Sequence, residues 1–170
     1  DEANRLVEEI NKNNGNARCI SLDVINDQIN LKPINRSVDA LFYFASPPIF
    51  IAKKGLFNTN LFDHFNSYYV NGFLSVFDKL KHNKLNTVFY PSSVAIDEAP
   101  LFMGEYVSSK LAGEGLCQFL NKQHKKINFL YPRLPRLSSD QTVSLLPVKD
   151  SDPIEYFWDI FNQYIKDDKL

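Results

Sequence analysis

Cysteine is scarce in this chain. The 170 residues hold two, Cys19 and Cys117, too far apart for a metal or redox spacing and too few for a disulfide framework, so both are read as reduced, buried thiols of a cytoplasmic protein. The three histidines, His64, His82 and His124, stand alone, none paired at i+4 or beside a cysteine, so no metal site is expected. No run approaches about 18 uninterrupted apolar residues and no leader-like pattern opens the chain, which argues against a membrane span. Neither charge dominates: 19 Lys and Arg face 20 Asp and Glu for a net charge of −1, which gives no electrostatic case for nucleic acid or an anionic membrane. The basic cluster "KQHKK" ending at Lys126 reads as a solvated helix end whose cations complement the helix dipole. Ser93 in "PSSVA" lacks the flanking glycines of a nucleophile elbow, which disfavours a hydrolase. The sequon Asn35-Arg36-Ser37 is read as chance.

Aromatic residues are what the chain has in quantity: 14 Phe and 8 Tyr within a 44% hydrophobic composition, enough for a ring-rich core in one domain over 1–170. Leu6, Val7 and Ile10 give a first helix that Asn14-Gly15 should stop. "ARCISLDV", "VDALFYFAS", "NTVFYPSS" and "INFLYPRLP" read as strands, the last three nearly continuous apolar runs of the kind buried on both faces. Between them, "FNSYYVNGFLSVFDKLKH" and residues 105–123 suit helices, the second with Leu116, Phe119 and Leu120 toward the core, and "PIEYFWDIFNQYI" (153–166) a third. Strands alternating with helices predict an α/β fold, a parallel sheet with helices on both faces. Residues 138–152 are long and polar enough at their ends for a lid. The chain opens inside a helix where such folds open on a strand, so part of the domain is expected upstream of residue 1.

Ligands of parallel sheets bind beyond the carboxyl ends of the strands. The polar residues there are Asp23, Ser46, Ser92, Ser93 and Arg133, and Tyr106 and Lys110 open the helix after "NTVFYPSS". Tyr106 and Lys110 lie four apart, one turn of the same helix face. A surface pair is the plain reading of that spacing taken alone. Ser93 equally reads as a turn cap, Asn71 as a solvent-facing amide, Asp23 as a cap and Arg133 as a partner for a carboxylate.

Taken together, Ser93, Tyr106 thirteen residues later and Lys110 resemble the Ser…Tyr-x-x-x-Lys signature of the short-chain dehydrogenase/reductase family. Val70-Asn71 is similar to the family's "VN" with its fourth active-site residue, and "GNARCISLDVIND" to its third strand. "LFYFAS" and "YPRLP" stand where it has its Asn-Ala-Gly and Pro-Gly turns. The resemblance implies a three-layer Rossmann-like domain and an oxidoreductase using NAD or NADP on a carbonyl or alcohol. Tyr106 would be proton donor or acceptor, with Ser93, Lys110 and Asn71 as its partners. Asp23, Val24, Phe44, Ala45, Ser46, Lys110, Pro132 and Arg133 would line the cofactor. Lys110 would lower the tyrosine's pKa from about 10 by about three units, roughly 4 kcal/mol, which a unit charge about 4 Å away supplies at an effective dielectric of about 20. The wording of "YFASPPIF" and "EYVSSK" is similar to a divergent branch from multidomain biosynthetic proteins, which implies a ketoreductase on a small-molecule or carrier-tethered carbonyl. Helices 61–80 and 105–123 would pair subunits in a homo-oligomer.

The departures are specific. The chain as given holds no Gly-x-x-x-Gly-x-Gly, "FAS" replaces Asn-Ala-Gly, and Arg133 replaces a glycine. A non-catalytic remnant kept for assembly, or an NAD-dependent epimerase or dehydratase, are the alternative expectations. In the family's strand order "ARCISLDV" is separated from "LFYFAS" by strands that would lie upstream, so alone it would leave a gap.

Overall fold

The computed structural model describes residues 2–26, 29–31, 34, 37–49, 56–82, 84–135, 157–160 and 162. Helix α1 (Glu2–Lys12) stops where Asn14 takes φ 65° and the Gly15 amide bonds back to Ile10 O at 2.9 Å. Strand β1 (Ala40–Phe42) pairs in parallel with β2 (Thr87–Phe89), and β2 with β4 (Asn128–Leu130), in the order β1-β2-β4. Beyond Pro91 and Pro132, which cannot donate to a ladder, the same two chain segments pair again as β3 (Ser92–Ser93) and β5 (Arg133–Leu134). Between the strands run α2 (Thr59–Asn66), a π-helical turn (Ser67–Gly72), α3 (Phe73–Leu80), the short α4 (Ala95–Glu98) and α5 (Gly104–Gln123).

Alternation along the strands sorts the two faces of the sheet. Tyr43 and Tyr90 point toward α3, where their rings meet Phe73 at 5.3 and 4.9 Å. Phe44 and Phe89 take the opposite face and meet Phe157 at 5.5 and 5.9 Å, where residues 157–160 are helical. The core of Phe65, Phe73, Phe77, Val88, Tyr90 and Cys117 lies between the sheet and helices α2, α3 and α5.

The π turn has an identifiable cause. Tyr43 Oη donates to Tyr68 O at 2.7 Å and Tyr90 Oη to Tyr69 O at 3.1 Å. Side chains from the sheet thus claim helix carbonyls, and such intrusions produce π bulges, often at functional sites. Gly72 is required there, since a Cβ would meet Tyr43 Oη, Val24 O and Ser67 O, each at 2.9 Å.

Three expectations are corrected. "ARCISLDV" forms no strand: residues 15–23 carry no ladder and are exposed except Ala17. Among the described residues no strand pairs with them; the Ala17 amide and carbonyl instead bond the Asn11 side chain at 2.7 and 3.2 Å. Cys19 is therefore exposed, whereas Cys117 is buried. Phe119 is 60% exposed; the inward stripe of α5 instead runs Tyr106, Ser109, Lys110, Gly113, Cys117 and Leu120. The 138–152 lid, and most of the 153–166 helix, lie outside the described residues.

Candidate active site

Tyr106 and Lys110 are on the buried face of α5, each 7% exposed. The end of β3 carries the Ser93 side chain to the first turn of α5, near enough to the Tyr106 phenol to act on its titration. Ser93 Oγ accepts the Ala95 amide at 3.2 Å. Lys110 Nζ donates to Pro91 O at 2.8 Å. It lies 4.1 Å from the ring centroid of Tyr69, 5.2 Å from Tyr90 and 5.9 Å from Tyr106, an aromatic cage that favours a cation through the ring quadrupoles. Tyr69, from the π turn, meets Ser46 hydroxyl to hydroxyl at 2.6 Å. Side chains from the ends of β1 and β3, the π turn and α5 thus converge past the carboxyl ends of the strands.

The electrostatics differ from the sequence expectation. Burial pushes the Tyr106 phenol up, and the neighbouring Ser93 hydroxyl only partly opposes this. Burial also lowers the Lys110 ammonium to about 7, against the opposing pull of Cys117 and Glu114. A lysine that sits near half protonation at neutral pH carries too little charge to pull the phenol down. Tyr106 is therefore held protonated.

This depressed lysine has a consequence for stability. An unfolded lysine titrates at about 10.4, so between about 7 and 10.4 the unfolded chain holds a proton that the folded one lacks, and stability rises with pH across that window. Cys117, raised by burial to about 12, acts oppositely above its unfolded value of about 8.5. Chemical denaturation of Lys110→Met beside the wild type cancels that second effect. The expected result is a flatter rise in stability for the variant between pH 7 and 8.5; parallel curves would mean that Lys110 keeps an ordinary pKa.

The remaining expected residues are dispersed. Asn71 is exposed on the π turn. Asp23 is exposed and its Oδ1 accepts the Ile25 amide at 3.1 Å, while the Val24 carbonyl lies against Gly72. Phe44 packs on the far face of the sheet, and Ala45 is half-buried between it and Ser46. Pro132 O accepts the Ser92 amide at 2.9 Å. The Arg133 guanidinium is taken up by Glu114 and Asp97.

Two residues at the site escaped the sequence reading. Tyr69 lies within a segment read only as a helix. Glu114 is 6% exposed and follows Lys110 by four residues, a spacing that could have signalled it.

Glu114 accepts hydrogen bonds from Arg133 Nε and Nη2 at 2.8 and 2.7 Å and from Ser92 Oγ at 2.5 Å. The Arg133 hydrogen bonds hold its carboxyl below the usual carboxylate range. The resulting stability is present above the unfolded value of about 4.3 and is lost as pH falls through the folded value. Glu114→Gln is expected to cost about 2 kcal/mol at pH 7, by loss of charge-assisted bonds, and the gap should narrow in denaturation curves below about pH 4. A gap independent of pH would contradict the carboxylate's part in it.

No family model matches the chain, and no curated protein matches its sequence. Solved structures match its fold. An alcohol dehydrogenase of the archaeon Thermococcus sibiricus, complexed with 5-hydroxy-NADP, superimposes with a TM-score of 0.78 at 14% identity, over 92% of this chain and 72% of that one. A short-chain type dehydrogenase/reductase of Mycobacterium ulcerans gives 0.71 at 16% identity, over 82% and 56%. A 7α-hydroxysteroid dehydrogenase complexed with NADH and 7-oxo glycochenodeoxycholic acid gives 0.66 at 18% identity, over 79% and 56%. The chain has the Rossmann-like fold of short-chain dehydrogenases/reductases, and it spans little more than half the length of two of these three proteins.

Proposed function

We propose that the chain carries the proton-transfer site of an NAD(P)-dependent oxidoreductase that reduces a carbonyl group. The observation that carries this reading is the burial of Tyr106 and Lys110 on one face of α5, with Lys110 Nζ 5.9 Å from the Tyr106 ring centroid and bonded to Pro91 O, two residues before Ser93. The Tyr106 hydroxyl donates its proton to the carbonyl oxygen as negative charge develops there, and Ser93 hydrogen-bonds the same oxygen. A phenol with a raised pKa is protonated at neutral pH, which suits the reducing direction. Lys110 Nζ has at least two N–H donors in either protonation state and, among the described residues, one hydrogen-bond acceptor, Pro91 O. Its remaining donors, with the hydroxyls of Ser46 and Tyr69, fit the ribose hydroxyls next to a nicotinamide. When bound, the nicotinamide supplies the hydride. Its pyrophosphate is assigned to no residue of this chain.

Calorimetric titration of the full-length protein with NADH and NADPH tests the reading, followed by loss of the reduced-nicotinamide absorbance on addition of aldehydes and ketones. Binding of one cofactor and its oxidation by at least one carbonyl are expected. Failure to bind either cofactor would remove the reading.

A further inference from the structure

Glu114 and Arg133 have no part in the chemistry above, yet both are tied to the backbone that carries it. Three residues on one face of α5, spaced i, i+4 and i+8, meet three consecutive residues of one segment. Lys110 bonds Pro91 O and Glu114 bonds Ser92 Oγ, while Tyr106 lies beside Ser93. Strand β3 has two residues, as has β5, and the register sets Ser92 beside Arg133 and Ser93 beside Leu134. The amides of Ser92 and Val94 bond Pro132 O and Leu134 O at 2.9 and 3.0 Å. So short a ribbon has little ladder of its own to hold it in place. The bidentate Arg133–Glu114 pair closes it onto α5, with the Glu114 side chain 8% exposed, and Asp97 of α4 takes the guanidinium's other nitrogen. Both oxygens of the buried Glu114 carboxylate are bonded, which is the condition under which a buried polar group rigidifies its surroundings.

We propose that Glu114 and Arg133 form a positioning clamp: by fixing the β3–β5 ribbon against α5, they set where the Ser93 hydroxyl stands relative to Tyr106. The clamp's effect on turnover rests on the functional reading above; its effect on Tyr106 does not. A planar, two-pronged guanidinium is needed, since an ammonium cannot hold two carboxylate oxygens and a second carboxylate in fixed directions.

The test uses protein labelled with carbon-13 at the tyrosine ζ carbon, with the Tyr106 resonance assigned by its loss in Tyr106→Phe. In Arg133→Ala the Tyr106 resonance is expected to move, and Arg133→Lys should restore it only in part. In the same variant kcat should fall on the order of 10- to 100-fold, the scale of a misplacement of about 1 Å, while the KM for the cofactor stays nearly unchanged. Where Arg133→Ala does not fold, Glu114→Gln serves, since its amide still accepts from Ser92 but loses the charged fork. A Tyr106 resonance that coincides with the wild type in a folded variant would overturn the clamp, as would an unaltered kcat. A wild-type protein without turnover would instead remove the functional reading and leave the resonance to decide the clamp.

Discussion

Tyr106→Phe is expected to lower turnover by about 10²- to 10⁴-fold, the range that a positioned general acid supplies. The ring is 7% exposed and packs edge-on against Phe65 and Tyr69, with centroids at 5.8 Å in both cases. Phenylalanine keeps those contacts, so the fold should lose no more than about 1 kcal/mol with the buried hydroxyl. Cofactor affinity should stay close to that of the wild type, because the donors assigned to the ribose belong to Lys110, Ser46 and Tyr69. Steady-state kinetics with calorimetry on the same preparation checks both halves. Unchanged turnover would contradict the proton-donor role; equal losses of turnover and affinity would mean that the ring positions cofactor rather than delivering a proton.

Gly113→Ala should have the largest effect on stability, about 3 kcal/mol. A Cβ at 113 would clash with Tyr90 Oη and lie 2.6 Å from Tyr90 Cζ. Tyr90 is 1% exposed and its hydroxyl is committed to Tyr69 O, so the ring has no free direction in which to yield. Overpacking costs about 1–3 kcal/mol and a broken buried hydrogen bond adds about 1–3. At this chain length the thermal midpoint should fall by about 10 °C. Gly115→Ala is the control: nothing lies within 4 Å of its added Cβ, and helix propensity alone should stabilise the protein by up to about 1 kcal/mol. Equal midpoints for the two variants would show that α5 does not pack on Tyr90 as described.

The elements that were legible in the sequence are those whose local signals agree with their surroundings. The apolar runs around Val88 and Phe129 read as buried parallel strands because they are covered, whereas around Leu41 the same signal marks an edge where Phe42 stays 46% exposed. Asn14-Gly15 stopped α1 because an αL residue there needs no tertiary help. "ARCISLDV" carried an equally good local pattern and formed no strand, because a strand depends on a neighbour that sequence periodicity cannot supply. Spacing alone set Tyr106 and Lys110 on one helix face, as the structure has them, and it was the family resemblance that joined Ser93 to them. The cage around Lys110 could not be found from spacing. It arises from a π turn imposed by Tyr43 and Tyr90 from other strands, which brings Tyr69 under the ammonium. The direction of the pKa shifts was hidden for the same reason, because burial outweighs the single charge that the sequence made visible. Glu114 illustrates the middle case: its i+4 spacing from Lys110 is plain, whereas its partner Arg133 is nineteen residues away and meets it only through the β3–β5 ribbon.

The central claim is that Tyr106 protonates a carbonyl oxygen while its carbon receives hydride from a nicotinamide. The most direct measurement is a single turnover of the full-length protein with reduced nicotinamide cofactor deuterated at C4 of the transferring face, followed by NMR of the product alcohol. Deuterium on the carbinol carbon is predicted for the wild type, with Tyr106→Phe forming the same product at a rate lower by about 10²- to 10⁴-fold. A product without deuterium, or one formed equally fast by Tyr106→Phe, would contradict the account.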